Sequence, residues 1–159
     1  MNIVIANRQR TRPLDVRRLK LILRALLDEL EIKAGDLGIN LVDAREMTLV
    51  NETFLQHEGS TDVITFDHTD GAAHGRTPAL HGELFICVDE AIVQARRFKT
   101  TWQPEVVRYA VHGILHLLGY EDLEAGLRRQ MKREENRLVR LLAKKFSLAQ
   151  IARRSKMVP

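Results

Sequence analysis

The stretch VHGILHLLGYEDL at residues 111–123 constrains the fold of this chain more than any other segment. It places His112 and His116 four residues apart in an otherwise apolar pattern, so both imidazoles lie on one face of a helix that is apolar on most sides. A buried imidazole without a polar partner is costly in free energy. The fold must therefore bury this helix and also give both histidines a partner.

The same stretch has the ligand types and the spacing of a metal site. Gly119 ends the helix and lets the backbone reverse, which can bring Asp122 back towards the histidines. The resulting H-x3-H-x5-D pattern predicts a centre held by His112, His116 and Asp122, with one tetrahedral position left open, as catalytic zinc requires. In the alternative interpretation, the histidines are core residues bonded to backbone carbonyls, and Asp122 caps the following helix.

The histidine spacing is shared with zinc peptidases of the metzincin type. Those enzymes place a glutamate directly after the first histidine, where it acts as the general base. In this chain Gly113 occupies that position. The sequence therefore disfavours a peptidase.

The periodicity of apolar residues predicts a single α+β domain. Four strands are expected, at Asn2–Ala6, Ile39–Val42, Val63–Phe66 and Glu83–Val88. Five helices are expected, at Leu14–Leu30, Ala44–Leu55, Asp89–Phe98, Pro104–Leu118 and about Leu123–Lys145. Gly35 and Gly38 are expected to break the chain before the second strand, and His68–Pro78 to form a loop.

The order of these elements defines the expected sheet. A helical crossover lays the first two strands parallel, whereas the fourth strand returns antiparallel to the third. Strands first and helices later predict a small mixed four-stranded sheet packed with about five helices, with the metal site on a helix followed by a glycine turn. The domain is expected to span residues 1–150, and residues 151–159 to form a flexible basic tail.

Composition narrows the compartment and the chemistry. The chain has 159 residues, of which 45% are hydrophobic, which is enough for one buried core. Its longest apolar runs have four or five residues, far short of the roughly 18 that a membrane span requires. The single cysteine, Cys87, excludes an internal disulfide and a thiolate-rich zinc site. Without a signal-peptide pattern at its start, the chain is expected in the reducing cytoplasm.

Charge is distributed unevenly along the chain. The net charge is +6 over residues 1–24, −11 over residues 25–127 and +9 over residues 128–159. Both basic ends are candidate surfaces for a polyanion, and nucleic acid is the commonest such partner. The alternative is a solvated helix face and a basic tail without a specific partner.

Four blocks of the sequence resemble the YbeY family of metal-dependent endoribonucleases, also called rRNA maturation factors. HGILHLLGY at 112–120 resembles the family signature H-G-x-L-H-L-x-G-Y-D-H. NETFLQHEGSTDVITF at 51–66 and GELFICVDEAIVQA at 82–95 resemble two further family segments, and Met131 stands where the family has a methionine after the metal motif. The resemblance implies a single-domain α+β fold and one bound zinc or similar divalent ion. It also implies cleavage of single-stranded RNA in rRNA maturation, including processing of the 16S rRNA 3′ end, and a role in ribosome quality control.

Two positions depart from the family pattern. Asp122 aligns with the third metal-binding histidine of the family, and Leu55 aligns with an arginine generally taken to contact RNA phosphate. The resemblance therefore assigns the metal to His112, His116 and Asp122, and nothing to Leu55. No general base stands out; His57 could take over a polar role at the pocket mouth or be an ordinary exposed histidine.

Three functions follow in order of support. The first is the metal-dependent endoribonuclease, with ribosomal RNA, the small ribosomal subunit and ribosome-associated proteins as expected partners. The second is a metal-stabilised ribosome assembly or binding factor with little catalysis. The third is a zinc metallopeptidase-like hydrolase. Thr65, in the third strand, could line the cleft and is the other weak catalytic candidate.

Overall fold

The computed structural model describes residues 1–69 and 79–152. Its strands are β1 (Asn2–Asn7), β2 (Ala34–Val42), β3 (Val63–Asp67) and β4 (Ala79–Cys87). Its helices are α1 (Val16–Glu29), α2 (Ala44–Phe54), α3 (Val88–Arg97), α4 (Trp102–Leu117) and α5 (Ala125–Lys145). A 3₁₀ turn, Leu148–Ile151, follows α5. The predicted α+β domain with four strands and five helices is confirmed.

The four strands form one mixed sheet in the order β1-β2-β4-β3. β1 and β2 run parallel, β2 and β4 run parallel, and β3 pairs antiparallel with β4. Ile39 at the middle of β2 lies opposite Ile5 on one side and Leu84 on the other. The predicted directions of the strand pairs are therefore those observed.

Helices cover both faces of the sheet unequally. Alternate residues of β2 and β4, such as Leu37, Ile39 and Leu84, enter a large core that also contains buried residues of α1, α3, α4 and α5. The opposite face carries a smaller cluster beneath α2, which includes Met47 and Cys87. α4 thus lies in the main core, as the apolar pattern of residues 111–118 predicts.

The prediction that Gly35 and Gly38 break the chain is wrong, because both lie inside β2. Gly35 has φ +122°, and a Cβ atom there would lie 1.9 Å from the carbonyl oxygen of Leu80 in β4. Only glycine permits this close approach of two backbones. β4 likewise begins at Ala79, four residues before the predicted Glu83. In the predicted loop His68–Pro78, residues 70–78 lie outside the described residues.

The ordered fold extends past residue 150. Ile151 is fully buried, and Ala152 forms an antiparallel bridge with Leu14, just before α1. Residues 153–159 of the predicted tail lie outside the described residues. Within residues 1–69 and 79–152, the structure contains no helix with the length and apolarity needed to span a bilayer.

Candidate metal centre

α4 holds the two histidines of the predicted metal site side by side. Val111, Ile114 and Leu115 are fully buried and fix the helix in the core. The rings of His112 and His116 lie edge to face, with centroids 4.6 Å apart, and their Nε2 atoms are 3.0 Å apart. The i, i+4 spacing thus places both ring nitrogens at one point.

The partners of the other ring nitrogens determine the tautomers. His112 Nδ1 lies 2.7 Å from Glu135 Oε1, and His116 Nδ1 lies 3.0 Å from the carbonyl oxygen of Tyr120. Both partners accept hydrogen bonds, so each Nδ1 carries the proton and donates it. The two Nε2 atoms then face each other, and where both rings are neutral a cation between them would bind both lone pairs.

The glycine turn brings Asp122 to the two histidines. Gly119 has φ +100°, and its amide donates to the carbonyl of His116 as α4 ends. Asp122 Oδ2 lies 3.7 Å from His116 Nε2 and 4.0 Å from His112 Nε2. One ligand atom from each residue lies within 4.8 Å of the others, and the Asp122 side chain is 45% exposed on the open side. The donor set of two imidazoles and a carboxylate suits zinc or a similar divalent ion.

Capping of α5 does not use Asp122. The residue before α5 is Glu124, and no side chain makes a capping hydrogen bond there. The alternative role for Asp122 therefore has no support in the contacts. The alternative that the histidines are core residues bonded to backbone carbonyls is met in part by His116, whose Nδ1 bonds to the Tyr120 carbonyl. This bond does not involve Nε2.

Glu135 is a functional residue that the sequence interpretation missed. It is 3% exposed, and besides His112 it accepts hydrogen bonds from Arg108 at 2.7 Å and Lys132 at 2.9 Å. Burial alone would raise the pKa of Glu135, but the hydrogen bonds from His112, Lys132 and Arg108 lower the pKa to about 2. The carboxylate is thus charged and orients His112. The sequence does contain a signal for this role: Glu135 is a charged residue within the apolar stripe of α5, four residues after Met131, and a charged residue at such a position usually has a partner.

Gly113 is held against the sheet. A Cβ atom at this position would lie 2.8 Å from Leu84 Cδ2 and 3.2 Å from Thr65 Cγ2. A glutamate, as metzincin peptidases carry here, would be driven into the core rather than towards the metal ligands. The packing therefore agrees with the sequence in disfavouring a peptidase.

Two of the three predicted ligands border a cleft of about 720 Å³ between α3, α4 and α5. His112 and Asp122 line its wall. The cleft also has four basic side chains: Arg108, Arg128, Arg129 and Lys132. Arg108 and Lys132 are paired with Glu135, whereas Arg128 donates only to the backbone oxygen of Asp122, at 3.2 Å. Arg129 makes no ion pair with any residue that the structure describes.

Other predicted candidates lie elsewhere. His57 is exposed in the segment after α2 and does not line the cleft. Thr65 in β3 faces Gly113 of α4 and does not line it either. Leu55, where the family has an arginine, is an exposed apolar residue. The structure thus gathers the metal triad and leaves both weak catalytic candidates outside the cleft.

The fold and site define a class: α+β proteins with a candidate metal centre on a buried helix that a glycine turn ends. The family described as Endoribonuclease YbeY matches residues 4–143. The chain belongs to this family, so the resemblance read from its sequence is confirmed.

Individual relatives support the assignment over most of the chain. The chain is 34% identical over 142 residues to the endoribonuclease YbeY of Chlorobium phaeovibrioides, covering 89% of this chain and 91% of the relative. It is 35% identical over 144 residues to that of Thermobifida fusca, covering 87% and 92%. The solution structure of a Thermotoga maritima protein matches 99% of both chains with a TM-score of 0.66 at 22% identity, which supports the fold. The names of the two curated relatives do not favour an assembly factor without catalysis.

Proposed function

We propose that this chain is a metal-dependent endoribonuclease that cuts single-stranded RNA, with the ion held by His112, His116 and Asp122. The convergence of two Nε2 atoms and one carboxylate oxygen within 4.8 Å, beside a cleft that Arg128 and Arg129 also line, carries the proposal. The endoribonuclease activity follows from the family. A cleft of about 720 Å³ is of the size that holds one small ligand and suits one strand.

The residues around the centre have separate tasks. A bound zinc or similar divalent ion supplies a Lewis acid for a phosphoryl oxygen and lowers the pKa of water. Glu135 and the Tyr120 carbonyl hold the two imidazoles with their Nε2 lone pairs directed to the site. Water and substrate reach the site on the open side, where Asp122 is exposed.

Arg128 and Arg129 take the role of phosphate contact that Leu55 cannot perform. Both line the cleft beside Asp122, and neither is neutralised by a described carboxylate. Guanidinium groups bind phosphate oxygens with two parallel hydrogen bonds. Among N-terminal basic residues, Arg8 is paired with Glu46 and does not line the cleft.

The biological substrate proposed is ribosomal RNA, at the 16S rRNA 3′ end, with the small subunit and its associated proteins as partners in maturation and quality control. This part rests on the resemblance to the family. The compartment proposed is the reducing cytoplasm, where the lone buried thiol of Cys87 needs no partner.

Metal content tests the proposed ligands. We expect about one divalent ion per purified chain, and a strong loss of it in His112→Ala, His116→Ala and Asp122→Ala. Asp122→His, which restores the family ligand, should retain the ion. His81→Ala is the matched control, because His81 lies on β4 beside Asp36, away from the cleft. Unchanged metal content in the three alanine variants would contradict the proposal.

Cleavage tests the reaction. The purified chain should cut a single-stranded oligonucleotide that has the sequence of the 16S rRNA 3′ end. It should cut the same oligonucleotide more slowly when the oligonucleotide is annealed to its complement. The three alanine variants should lose this activity, while His57→Ala and His81→Ala retain it. Equal cleavage of single and paired strands would contradict the proposed substrate form.

A further inference from the structure

The cleft beside the metal centre contains a polar group that lacks a partner. Tyr109 is 5% exposed, its side chain lines the cleft, and its hydroxyl has no hydrogen-bond partner within the described part of the chain. A buried hydroxyl left in this state is destabilising, and native proteins rarely keep one without a use. Burial, together with Asp62 and Glu105, raises the pKa of Tyr109 above its usual range, so the hydroxyl keeps its proton. The hydroxyl is therefore a donor without an acceptor among the described residues, and because it is itself buried, an acceptor on a ligand would reach it only when the cleft wall shifts.

The same cleft has an aromatic ring at its rim. Phe98 follows the last residue of α3, is 69% exposed and lines the cleft. It has no ring contact with another described aromatic side chain, in contrast to Phe54, which meets Phe66 edge to face. An exposed ring next to cationic side chains is the arrangement with which proteins bind bases of single strands.

The cleft has charges of both signs: Asp62 and Glu105 also line it, and its cations without a described carboxylate partner are Arg128 and Arg129. Arg128 and Arg129 lie on the α5 side, with Arg128 3.2 Å from the carbonyl oxygen of the proposed ligand Asp122, whereas Phe98 follows α3 and Tyr109 lies in α4. A phosphate at the arginines would thus leave its base free to enter between the other two side chains. Each group suits one part of a nucleotide. The hydroxyl donor suits the edge of the base, the aromatic ring suits its face, and the arginines suit the phosphate.

We propose that this cleft is a nucleobase subsite, in which one base next to the cleaved phosphate stacks on Phe98 and accepts a hydrogen bond from the Tyr109 hydroxyl. The subsite rests on the proposed cleavage at the three-ligand centre. It gives the enzyme a preference for the base at one position of the strand. The subsite would recognise the base by the hydrogen-bond acceptors on its edge, and not by the shape of an RNA helix.

An abasic scan tests the stacking. Fluorescence anisotropy would measure the affinity for single-stranded oligonucleotides in which each base in turn is removed, with the RNA recovered intact on a denaturing gel. At one position we expect the loss of the base to weaken binding about tenfold, the size typical of one stacked base. Phe98→Ala should weaken binding of the intact strand by the same factor and show no further loss at that position.

Phe54→Ala is the matched control for this scan. Phe54 is also an exposed phenylalanine, at 65%, but it lies outside the cleft, so this variant should keep the abasic penalty. The proposal is overturned if no position carries a penalty, or if Phe98→Ala keeps the full penalty of the wild type.

Tyr109→Phe tests the hydrogen bond, and the melting temperature of this variant distinguishes it from a structural role. If the hydroxyl stabilised the free protein, its removal would lower the melting temperature. Removal of an unpartnered buried hydroxyl should leave the melting temperature unchanged or higher, because nothing in the free protein depends on that hydroxyl. The affinity for the intact strand should fall several-fold, and the preference between bases at the sensitive position should narrow. A lower melting temperature with unchanged RNA affinity would overturn the assignment.

These measurements separate the subsite from the reaction. They record binding, so they do not depend on metal-supported cleavage. A flat abasic series with active, metal-dependent cleavage overturns the base subsite alone. A clear abasic position without cleavage overturns the proposed reaction.

Discussion

At the scale of single residues, the centre depends on which nitrogen of each histidine carries the proton. The Glu135 carboxylate and the Tyr120 carbonyl accept hydrogen bonds from the Nδ1–H groups, and the Nε2 atoms of His112 and His116 are left facing each other. Second partners of this kind fix both the orientation and the basicity of metal ligands. Glu135 is therefore expected to support the proposed ligands by orienting His112.

Adjacent glutamates on α5 allow this role to be measured. We predict that Glu135→Gln lowers metal affinity about 10–100-fold, because the neutral amide no longer polarises His112. Glu134→Gln should change it less than about twofold, since Glu134 pairs with Arg137 rather than with a metal ligand. Competition with a metal-binding dye gives both values. Equal losses in the two variants would mean that the effect is general electrostatics.

Cys87 offers a second residue-scale prediction. The thiol is fully buried, and burial raises its pKa. Because the thiolate is the reactive form, we predict that a disulfide reagent at pH 8 modifies native protein at least about 100-fold more slowly than protein unfolded in guanidinium. The absorbance of the released thiol measures both rates. Comparable rates would show that this end of β4 opens readily in the native state.

At the scale of elements, the site is positioned by the close packing of α4 on the sheet. Glycines lie on both contacting surfaces: Gly113 on α4 and Gly82 on β4. A Cβ atom at Gly113 would collide with Leu84, and one at Gly82 would lie 2.6 Å from Leu117 Cδ1. The depth of α4, and with it the position of both histidines, is thus determined by two absent side chains.

Two helical glycines of opposite environment test this account. We predict that Gly113→Ala destabilises the protein by about 1–3 kcal/mol through overpacking, although alanine is the better helix former. Gly126→Ala, in the first turn of α5, should be neutral or stabilising by up to about 1 kcal/mol, because its Cβ atom would lie 3.9 Å from the Arg129 guanidinium, an ordinary contact. Urea denaturation gives both values. A stabilised Gly113→Ala variant would contradict the packing argument.

At the scale of the whole molecule, the fold places the two basic ends of the chain differently relative to the candidate metal centre. The sequence carries basic residues at both ends, and among those that the structure describes, the ones that line the cleft are Arg128, Arg129 and Lys132 in the first turns of α5. Exposed Arg17 lies on α1, outside the cleft. The two basic ends therefore have different relations to the site.

The salt dependence of RNA binding distinguishes the two ends. For single strands, the logarithm of affinity falls with the logarithm of salt concentration by about 0.7 per neutralised phosphate. We predict that the double variant Arg128→Ala and Arg129→Ala reduces this slope by about 1.4, and lowers kcat/KM at least about tenfold. Arg17→Ala should leave kcat/KM within about twofold of the wild-type value. A normal kcat/KM in the double variant would show that Arg128 and Arg129 do not contact the substrate.

Much of the fold was readable because it depends on local patterns. Apolar periodicity located all four strands and all five helices, with most helix ends within two residues. The early part of β2 was missed because Gly35 and Gly38 interrupt that periodicity, and their reason is a neighbouring strand distant in sequence. A glycine that allows two backbones to approach closely leaves no periodic pattern in the sequence from which its role could be predicted.

The sequence by itself determined the family, through four blocks between residues 51 and 131. It also determined the two histidines on one helix face and the glycine turn that returns Asp122 to them, because these residues lie within eleven consecutive positions. Only the tertiary structure decided what surrounds them. Glu135 follows His112 by 23 positions and meets it because α5 packs on α4. The cleft with Phe98, Tyr109 and the arginines joins three helices. Spacing along one helix is fixed by its geometry, whereas contacts between helices depend on how their buried faces pack.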